Sequence, residues 1–279
     1  GSLIAANWVL SAAHCFYTEA PEAVTVYVGD YDLTRIEDTE QRIDVVRRVE
    51  FGGDLVLLEL AESVDTTVFK PIKLADEAVM ASLGVGDMVT VVGWGDRDAL
   101  ASTEAFDNID LPDKLHEVEL PIYSQHDCGQ VWDPRTTNEE LVKRLKDGVT
   151  TKEELDIFFH QFFEDYFEYY FPILGSVIDS TVICTGFKKA DKNEIAQGIC
   201  WGDSGGALLY KSAVEWFQVG VISFGNKTCA TEDVPSVNTR VASYKDGIDT
   251  IISTVDLSLY PRSLDKNISI SIKAKSVCY

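Results

Sequence analysis

A serine enclosed by glycines, Ser204, lies in the last third of the chain within the pentapeptide GDSGG. Because glycine permits tight backbone turns, such a serine can project from the chain while neighbouring N–H groups point at a substrate carbonyl. All four histidines precede Ser204, which excludes an α/β-hydrolase arrangement, where the histidine follows the serine. A subtilisin-like order fails for His14, since no acid precedes it. The order histidine, acid, serine remains.

His14 and Asp54 are the candidates for a base and its partner acid. His14 ends the small, apolar run VLSAAHC, where a histidine packed in a core is the alternative. Asp54 leads into the apolar segment LVLL, where a carboxylate is costly unless it is hydrogen-bonded. Accepting an imidazole Nδ1–H would satisfy Asp54, fix the tautomer of His14 and stabilise the imidazolium that forms as the serine attacks.

Short β-rich runs punctuated by Gly and Pro dominate residues 1–122, the clearest being 24–28, 55–60 and 89–92. This spacing predicts a barrel or sandwich rather than alternating strands and helices. The composition over 137–171 indicates helix, short apolar runs return over 177–241, and a last helical pattern covers 243–255. The polar tail over 256–279 contains an alternating Ile–Ser patch that predicts one strand.

Composition and charge argue against several structural classes and binding functions. With 46% hydrophobic and 25% charged residues, the 279-residue chain has the composition of a globular protein, which excludes dominant disorder. No apolar run approaches the roughly 18 residues of a membrane helix. A formal charge of −22 disfavours unaided binding to nucleic acid or an anionic membrane, because phosphate contacts need Lys or Arg. We expect a monomer with neither partner.

Cysteines and sequons bear on the compartment. No CxxC pair is present, which disfavours a zinc ribbon or a thioredoxin-like site; the six cysteines are Cys15, Cys128, Cys184, Cys200, Cys229 and Cys278. N-x-[ST] sequons begin at Asn226 and Asn267. Together these features favour a secreted protein with disulfides over a cytosolic one. The first residue is Gly1 and no signal-peptide pattern follows it, so we expect a mature product or a fragment.

Taken together, these strings resemble the chymotrypsin-like family of serine proteases, the trypsin superfamily. The resemblance runs in order along most of the chain, through GSLIAANWVLSAAHC, GDLVLLEL, VVGWG, LHEVELPI, VICTG, GDSGGALL, VGVISFG and PSVNTRV. It implies an all-β fold of two packed antiparallel six-stranded β-barrels with a cleft between them, a C-terminal helix, and hydrolysis of peptide bonds through an acyl-enzyme.

The resemblance also assigns catalytic roles. His14 would be the general base, Asp54 its orienting acid and Ser204 the nucleophile. The backbone N–H groups of Gly202 and Ser204 would form the oxyanion hole, which is worth a few kcal/mol of transition-state stabilisation. Ser223 would lie beside Asp54.

The implied specificity pocket carries no charge. In this family the pocket floor lies six residues before the nucleophile, here Gly198, where a trypsin-like enzyme needs an Asp to pair Lys or Arg. The other residues that the resemblance places at the substrate are also uncharged: Ile199, Ser223, Phe224, Gly225 and Ser236. Phe224 and Gly225 would offer backbone to an extended substrate. We expect an uncharged, apolar P1 residue, chymotrypsin-like, or elastase-like if Ile199 and Ser236 shorten the pocket.

The chain departs from the family at its beginning. The family's mature chain starts upstream of GSLI, and its new α-amino group pairs with the acid before the nucleophile, here Asp203, so a zymogen is implied. Without that segment we expect Asp203 to lack its ion partner and the first barrel to be incomplete, and the usual partner of Cys15 would precede Gly1. The cysteine pairs that the resemblance implies are Cys128 with Cys184 and Cys200 with Cys229, which leaves Cys278 over.

Residues 133–176 lengthen one loop of the second barrel. The stretch from Cys128 to Cys184 is several times longer than the family needs, so we predict a helical insertion in a protease domain over 1–255, followed by an extension over 256–279. The insertion contains the aromatic run FFHQFF. It is either an amphipathic helical hairpin packed on the protease body, or a lid or exosite that selects substrates or binds a partner.

An acid-dense segment over 30–40 resembles the calcium-binding loop of trypsins. The oxygen ligands implied are the carboxylates of Asp30, Glu37 and Glu40 and the backbone oxygens of Asp32 and Arg35. The alternative is an acidic, solvated hairpin.

We therefore predict a secreted serine endopeptidase that needs no cofactor for its chemistry, acts on polypeptide substrates and is a target for protein inhibitors. Two alternatives stay open. One is a non-catalytic protease homologue that acts through its surface, and the other is an esterase of the same fold. The presence of His14, Asp54 and Ser204 favours an enzyme.

Overall fold

The computed structural model describes residues 1–16, 20–97, 111–132, 178–186, 197–226, 229–230 and 234–254. These residues form two β-sheets and few helices. The first sheet has the strand order β1-β2-β5-β4-β3. Its strands are β1 (Ser2–Ala5), β2 (Trp8–Ser11), β3 (Thr25–Val28), β4 (Gln41–Phe51) and β5 (Leu55–Leu60).

The second sheet has the antiparallel order β8-β7-β10-β11-β12-β9, with β6 lying parallel beside β11. Its strands are β6 (Lys73–Leu74), β7 (Met88–Gly93), β8 (His116–Pro121), β9 (Val182–Thr185), β10 (Ala207–Lys211), β11 (Trp216–Phe224) and β12 (Ser236–Arg240). The α-helices are α1 (Glu77–Ala81), α2 (Gln125–Trp132) and α3 (Lys245–Thr254). Short 3-10 helices cover Ala13–Phe16, Pro21–Ala23 and Val241–Ser243.

Strand β5 shows why the first sheet curls around a core on each face. All six of its residues are buried. Because side chains alternate across a strand, Leu55 and Leu57 enter one hydrophobic cluster, whereas Val56 and Leu58 enter another. The buried carboxylate of Glu59 is satisfied by Arg47, at 2.7 Å.

The cluster around Leu55 and Leu57 joins the two sheets. It brings Val221 of β11 and Ile248 of helix α3 against these leucines. Helix α3 therefore packs back on the first sheet although it follows the last strand of the second. A hydrogen bond from Ala75 N to Gln218 O also ties the segment between the sheets to β11, at 2.9 Å.

The all-β prediction with two curled antiparallel sheets is confirmed, and so is the last helix, predicted over 243–255 and found at Lys245–Thr254. The predicted insertion over 133–176 and the extension over 256–279 lie outside the described residues. Within the described residues, the apolar length of each helix falls short of a membrane span.

Candidate active site

His14 and Asp54 meet at the edge of the first sheet. His14 lies in the 3-10 helix that follows β2, and Asp54 closes the turn between β4 and β5. The imidazole Nδ1 is 2.7 Å from Asp54 Oδ2, and the two side chains are 9% and 11% exposed. The backbone N–H of His14 donates to Asp54 Oδ1 at 2.9 Å. A proton on Nδ1 leaves Nε2 as the acceptor of this ring.

A residue of the second sheet completes the surroundings of Asp54. Ser223 is buried near the end of β11, and its hydroxyl donates to Asp54 Oδ2 at 2.5 Å. The carboxylate thus accepts hydrogen bonds from both sides of the cleft.

Ser204 lies on a loop that β11 holds in place. Gly202 and Gly205 have φ angles of +94° and +77°, which side chains rarely adopt. Gly205 N donates to Ile222 O at 2.8 Å, and Ile222 N donates back to Gly206 O at 3.0 Å. Ser204 Oγ donates to Ser223 O at 3.4 Å, and among the described residues it makes no hydrogen bond to His14.

The loop leaves two N–H groups unused. Those of Asp203, Gly205 and Gly206 donate to backbone carbonyl oxygens. The N–H groups of Gly202 and Ser204 find no acceptor within the described part of the chain. They are therefore free to donate to a negatively charged oxygen next to Ser204.

Asp203 turns away from the cleft into a buried site. Its carboxylate accepts from Gly95 N at 2.9 Å and from Cys200 N at 3.0 Å. A Cβ on Gly93 or Gly95 would overlap this carboxylate, which explains the two glycines of the sequence GWG. Burial raises the pKa of Asp203 to about 6, although the two N–H donors work in the opposite direction.

A small cavity opens beside Ser204, with a volume of about 30 Å³. Of the residues predicted to bind substrate, four line it: Ile199, Ser223, Phe224 and Gly225. Gly198 and Ser236 are not among its lining residues: a Cβ on Gly198 would lie 3.2 Å from Ala230, and a Cβ on Gly225 would lie 2.9 Å from the Ser236 hydroxyl. Each described residue that lines this cavity is uncharged.

Sequence reasoning did not assign five of the cavity residues to the substrate: Trp201, Ile222, Asn226 and the disulfide cysteines Cys200 and Cys229. Trp201 precedes the motif GDSGG, Ile222 lies within the motif VGVISFG, and Asn226 follows it. Their position beside these motifs was the available signal.

Arg35 partly neutralises the acidic side chains of the segment over 30–40, to which it belongs. Arg35 pairs with Glu37 at 2.9 Å and with Asp32 at 3.7 Å. Hydrogen bonds from Thr34 lower the pKa of Asp32. In the described ranges, no group of three or more acidic, His or Cys side chains is arranged to hold a metal ion.

Asp30 differs from its neighbours in this segment. Its Oδ1 is buried and has no hydrogen-bond partner within the described residues. Burial raises the pKa of Asp30, and repulsion from Glu40, Glu37 and Asp32 adds to this effect. A cation would relieve this repulsion.

Both implied disulfides are present. Cys128 and Cys184 join helix α2 to β9, and Cys200 and Cys229 join the segment before Ser204 to the segment after β11. Cys15, next to His14, is also disulfide-bonded.

Comparison with known proteins places the chain among proteases. A sequence model of the family described as Trypsin matches residues 1–151 and 167–248. Kallikrein-8 of Homo sapiens is 28% identical over 266 residues, which cover 91% of this chain and 76% of that protein.

Mannan-binding lectin serine protease 1 is a further relative. The protein of Rattus norvegicus is 26% identical and that of Mus musculus 28% identical, each over 276 residues and 90% of this chain. The chain spans only 31% of the length of each of these two proteins.

The buried carboxyl group of Asp203 should make stability depend on pH. Its folded pKa of about 6 lies above the unfolded value of 3.8, so the folded state binds the proton more tightly. The resulting stabilisation is complete below about pH 4 and is lost as the pH rises through 6, about 3 kcal/mol in all. We expect urea unfolding of residues 1–279 between pH 4 and 7 to show this loss relative to Asp203→Asn. Parallel pH profiles of the two proteins would contradict it.

Proposed function

The chain belongs to the trypsin family, and from that premise we propose that it is a serine endopeptidase whose triad is His14, Asp54 and Ser204. The observation that carries this proposal is the imidazole of His14, held by Asp54 on the cleft side where Ser204 lies. The protease domain would cover 1–255, with 133–176 inserted and 256–279 as an extension.

The geometry supports a division of roles. With its Nδ1 proton held by Asp54, His14 offers Nε2 to the Ser204 hydroxyl. As Ser204 Oγ bonds to the substrate carbonyl carbon, Nε2 takes the hydroxyl proton and then gives it to the leaving amine. Water repeats the sequence on the acyl-enzyme, releasing the acid and restoring Ser204. Asp54 stays ionised and stabilises the imidazolium throughout.

The unused N–H groups of Gly202 and Ser204 support an oxyanion hole at the position that the resemblance implies. The carbonyl oxygen becomes negatively charged as Ser204 attacks, and donors already in place stabilise that charge without reorganising. The positive φ of Gly202 turns its peptide so that no neighbouring carbonyl of the described loop takes up this donor.

An uncharged pocket supports an uncharged P1 residue. Neither Gly198 nor the described lining residues supply a carboxylate for Lys or Arg. We therefore propose a preference for uncharged, apolar P1 residues, either chymotrypsin-like or elastase-like.

The acidic segment supports a structural calcium ion only with a local rearrangement. Asp30 contributes an oxygen without a partner, but Arg35 already pairs with Asp32 and Glu37. The Arg35 side chain is 61% exposed, so displacing it into water costs little. The carboxylates of Asp30, Glu37 and Glu40 would then hold the ion, without any part in the chemistry.

We propose that the protein is secreted because it has disulfides and two sequons, at Asn226 and Asn267. Synthesis as a zymogen, a monomeric state and regulation by protein inhibitors are proposed on the resemblance alone.

A fluorophosphonate probe tests the nucleophile. We expect the protein to be labelled and Ser204→Ala to lose labelling. Asp54→Asn should slow it roughly 10³- to 10⁴-fold, because His14 would present the wrong tautomer. Labelling should also slow at low pH, where a protonated His14 cannot accept the serine proton.

Ser212→Ala, on the turn between β10 and β11, is the matched control and should be labelled like the parent. Absence of labelling in the natural, fully processed protein would reject the enzyme and favour a non-catalytic homologue.

Peptide anilides that differ only at P1 test the pocket. We expect kcat/KM to be higher for Phe, Val and Ala than for Arg. Gly198→Asp should raise the rate for Arg relative to Ala about tenfold or more, because the new carboxylate can pair with the guanidinium. Gly198→Ser is the uncharged control and should not do so. A parent that prefers Arg would refute the uncharged pocket.

Calorimetric titration with CaCl₂ tests the acidic segment. We expect binding to the parent, tighter binding to Arg35→Gln because the acids lose their internal counter-charge, and weaker binding to Glu40→Gln. No heat of binding with any of the three proteins would reject the site.

A further inference from the structure

We propose that Thr239 and Tyr244 are positioning residues for Asp54. They would hold the turn between β4 and β5 in the left-handed conformation that aims the Asp54 carboxylate at His14. Thr239 lies in β12 of the second sheet and Tyr244 lies between the following 3-10 helix and α3, and both act through the backbone of the turn. The proposal rests on the proposed function, and its test separates the two.

The turn has an unusual backbone. Gly53 and Asp54 have φ angles of +74° and +60°, and Asp54 is one of two non-glycine residues with positive φ in the described part of the chain. A side chain in this region costs free energy and persists only where the surroundings over-determine it. The turn is short, since Phe51 pairs with Leu55 across it. Something outside the turn must therefore hold it.

Thr239 supplies one such contact. Thr239 is 2% exposed in strand β12, where it pairs with Val221 of β11 and Val182 of β9. Its hydroxyl donates to the carbonyl oxygen of Gly53 at 2.5 Å. A buried threonine hydroxyl needs an acceptor, and here it finds one on a strand connection of the other sheet.

This hydrogen bond restrains the φ angle of Asp54. The Gly53 carbonyl and the Asp54 nitrogen belong to one rigid peptide plane. The φ angle of Asp54 is a rotation about the bond that leaves this plane. Fixing the carbonyl therefore fixes the reference for that rotation, and with it the direction in which the Asp54 side chain leaves the backbone.

Tyr244 restrains the same turn because its side chain packs against Gly53. It follows the 3-10 helix Val241–Ser243 and precedes α3. A Cβ on Gly53 would overlap the Tyr244 hydroxyl, so the phenol lies directly against the glycine. The Tyr244 ring also packs edge-on against Phe51, with centroids 6.3 Å apart. The ring thus contacts the turn and the strand that enters it.

The two contacts explain how Asp54 keeps its position although its carboxylate has competing donors. His14 N and His14 Nδ1 donate to the carboxylate from the side of the first sheet, and Ser223 Oγ donates from the second sheet. With the turn held, all three donors can be satisfied at once. A turn free to relax to negative φ would swing the carboxylate away from at least one of them.

Thr239→Val tests this inference because it keeps the shape of the side chain and removes the donor. We expect kcat to fall roughly 10- to 100-fold with little change in KM, because the misplaced carboxylate no longer orients His14. The downfield proton NMR signal of the His14 Nδ1–H, identified by its loss in Asp54→Asn, should weaken or vanish. The midpoint of the pH profile of kcat/KM should fall, because the imidazolium loses its stabiliser.

Thr239→Ser keeps the hydroxyl and should restore the signal and most of the rate. Tyr244→Leu should move the same readouts in the same direction as Thr239→Val. Thr90→Val, a buried threonine on β7 of the same sheet, controls for loss of stability and should leave the proton signal, kcat and the pH profile unchanged.

The inference is overturned if Thr239→Val and Tyr244→Leu keep the proton signal and kcat of the parent, whatever their melting temperatures. It is also overturned if Thr90→Val, at equal loss of stability, moves these readouts as far. A parent without Ser204-dependent hydrolysis would instead reject the proposed function. The proton signal would still report whether Thr239 positions Asp54.

Discussion

The arrangement of the cleft depends on the hydrogen bonds that the Asp54 carboxylate accepts. A buried carboxylate is costly without partners, and this one accepts hydrogen bonds from the backbone and ring of His14 and from Ser223. These donors belong to the 3-10 helix after β2 and to β11 of the other sheet. Both sheets must therefore be in place before Asp54 is satisfied. Because β11 also holds the Ser204 loop, the same packing brings Ser204 to Ser223, the residue that donates to Asp54.

A second buried carboxylate shapes the other side of the site. Asp203 is held by backbone donors and lies against Gly93 and Gly95, where no side chain would fit. Asp203 is buried whereas the neighbouring Ser204 is partly exposed, and the same loop leaves the N–H groups of Gly202 and Ser204 without an acceptor among the described residues. The proposed nucleophile, the proposed oxyanion donors and the buried acid thus belong to one loop.

The sequence predicted those elements that have a short β-rich apolar run or a helical spacing of apolar residues. Strands β3, β5 and β7 follow such runs, and helix α3 has such a spacing. Strand β4 was not predicted, although it is the longest of the described strands. Its exposed positions carry Arg42, Asp44 and Glu50, and much of its pairing surface is provided by β3 and β5. The short helices α1 and α2 were missed because tertiary contacts stabilise short helices that have weak patterns.

The sequence by itself determined the order of His14, Asp54 and Ser204, the glycines around the serine, the absence of charge at Gly198 and the family to which these strings point. Only the tertiary structure decided that Asp54 takes a left-handed conformation, that Thr239 and Tyr244 contact its turn, and that Trp201 and Asn226 line the cavity beside Ser204. The physical reason is distance along the chain. Asp54 bonds to His14 across 40 positions and to Ser223 across 169, and Thr239 bonds to Gly53 across 186. No local pattern encodes such contacts, because they exist only once both sheets have packed.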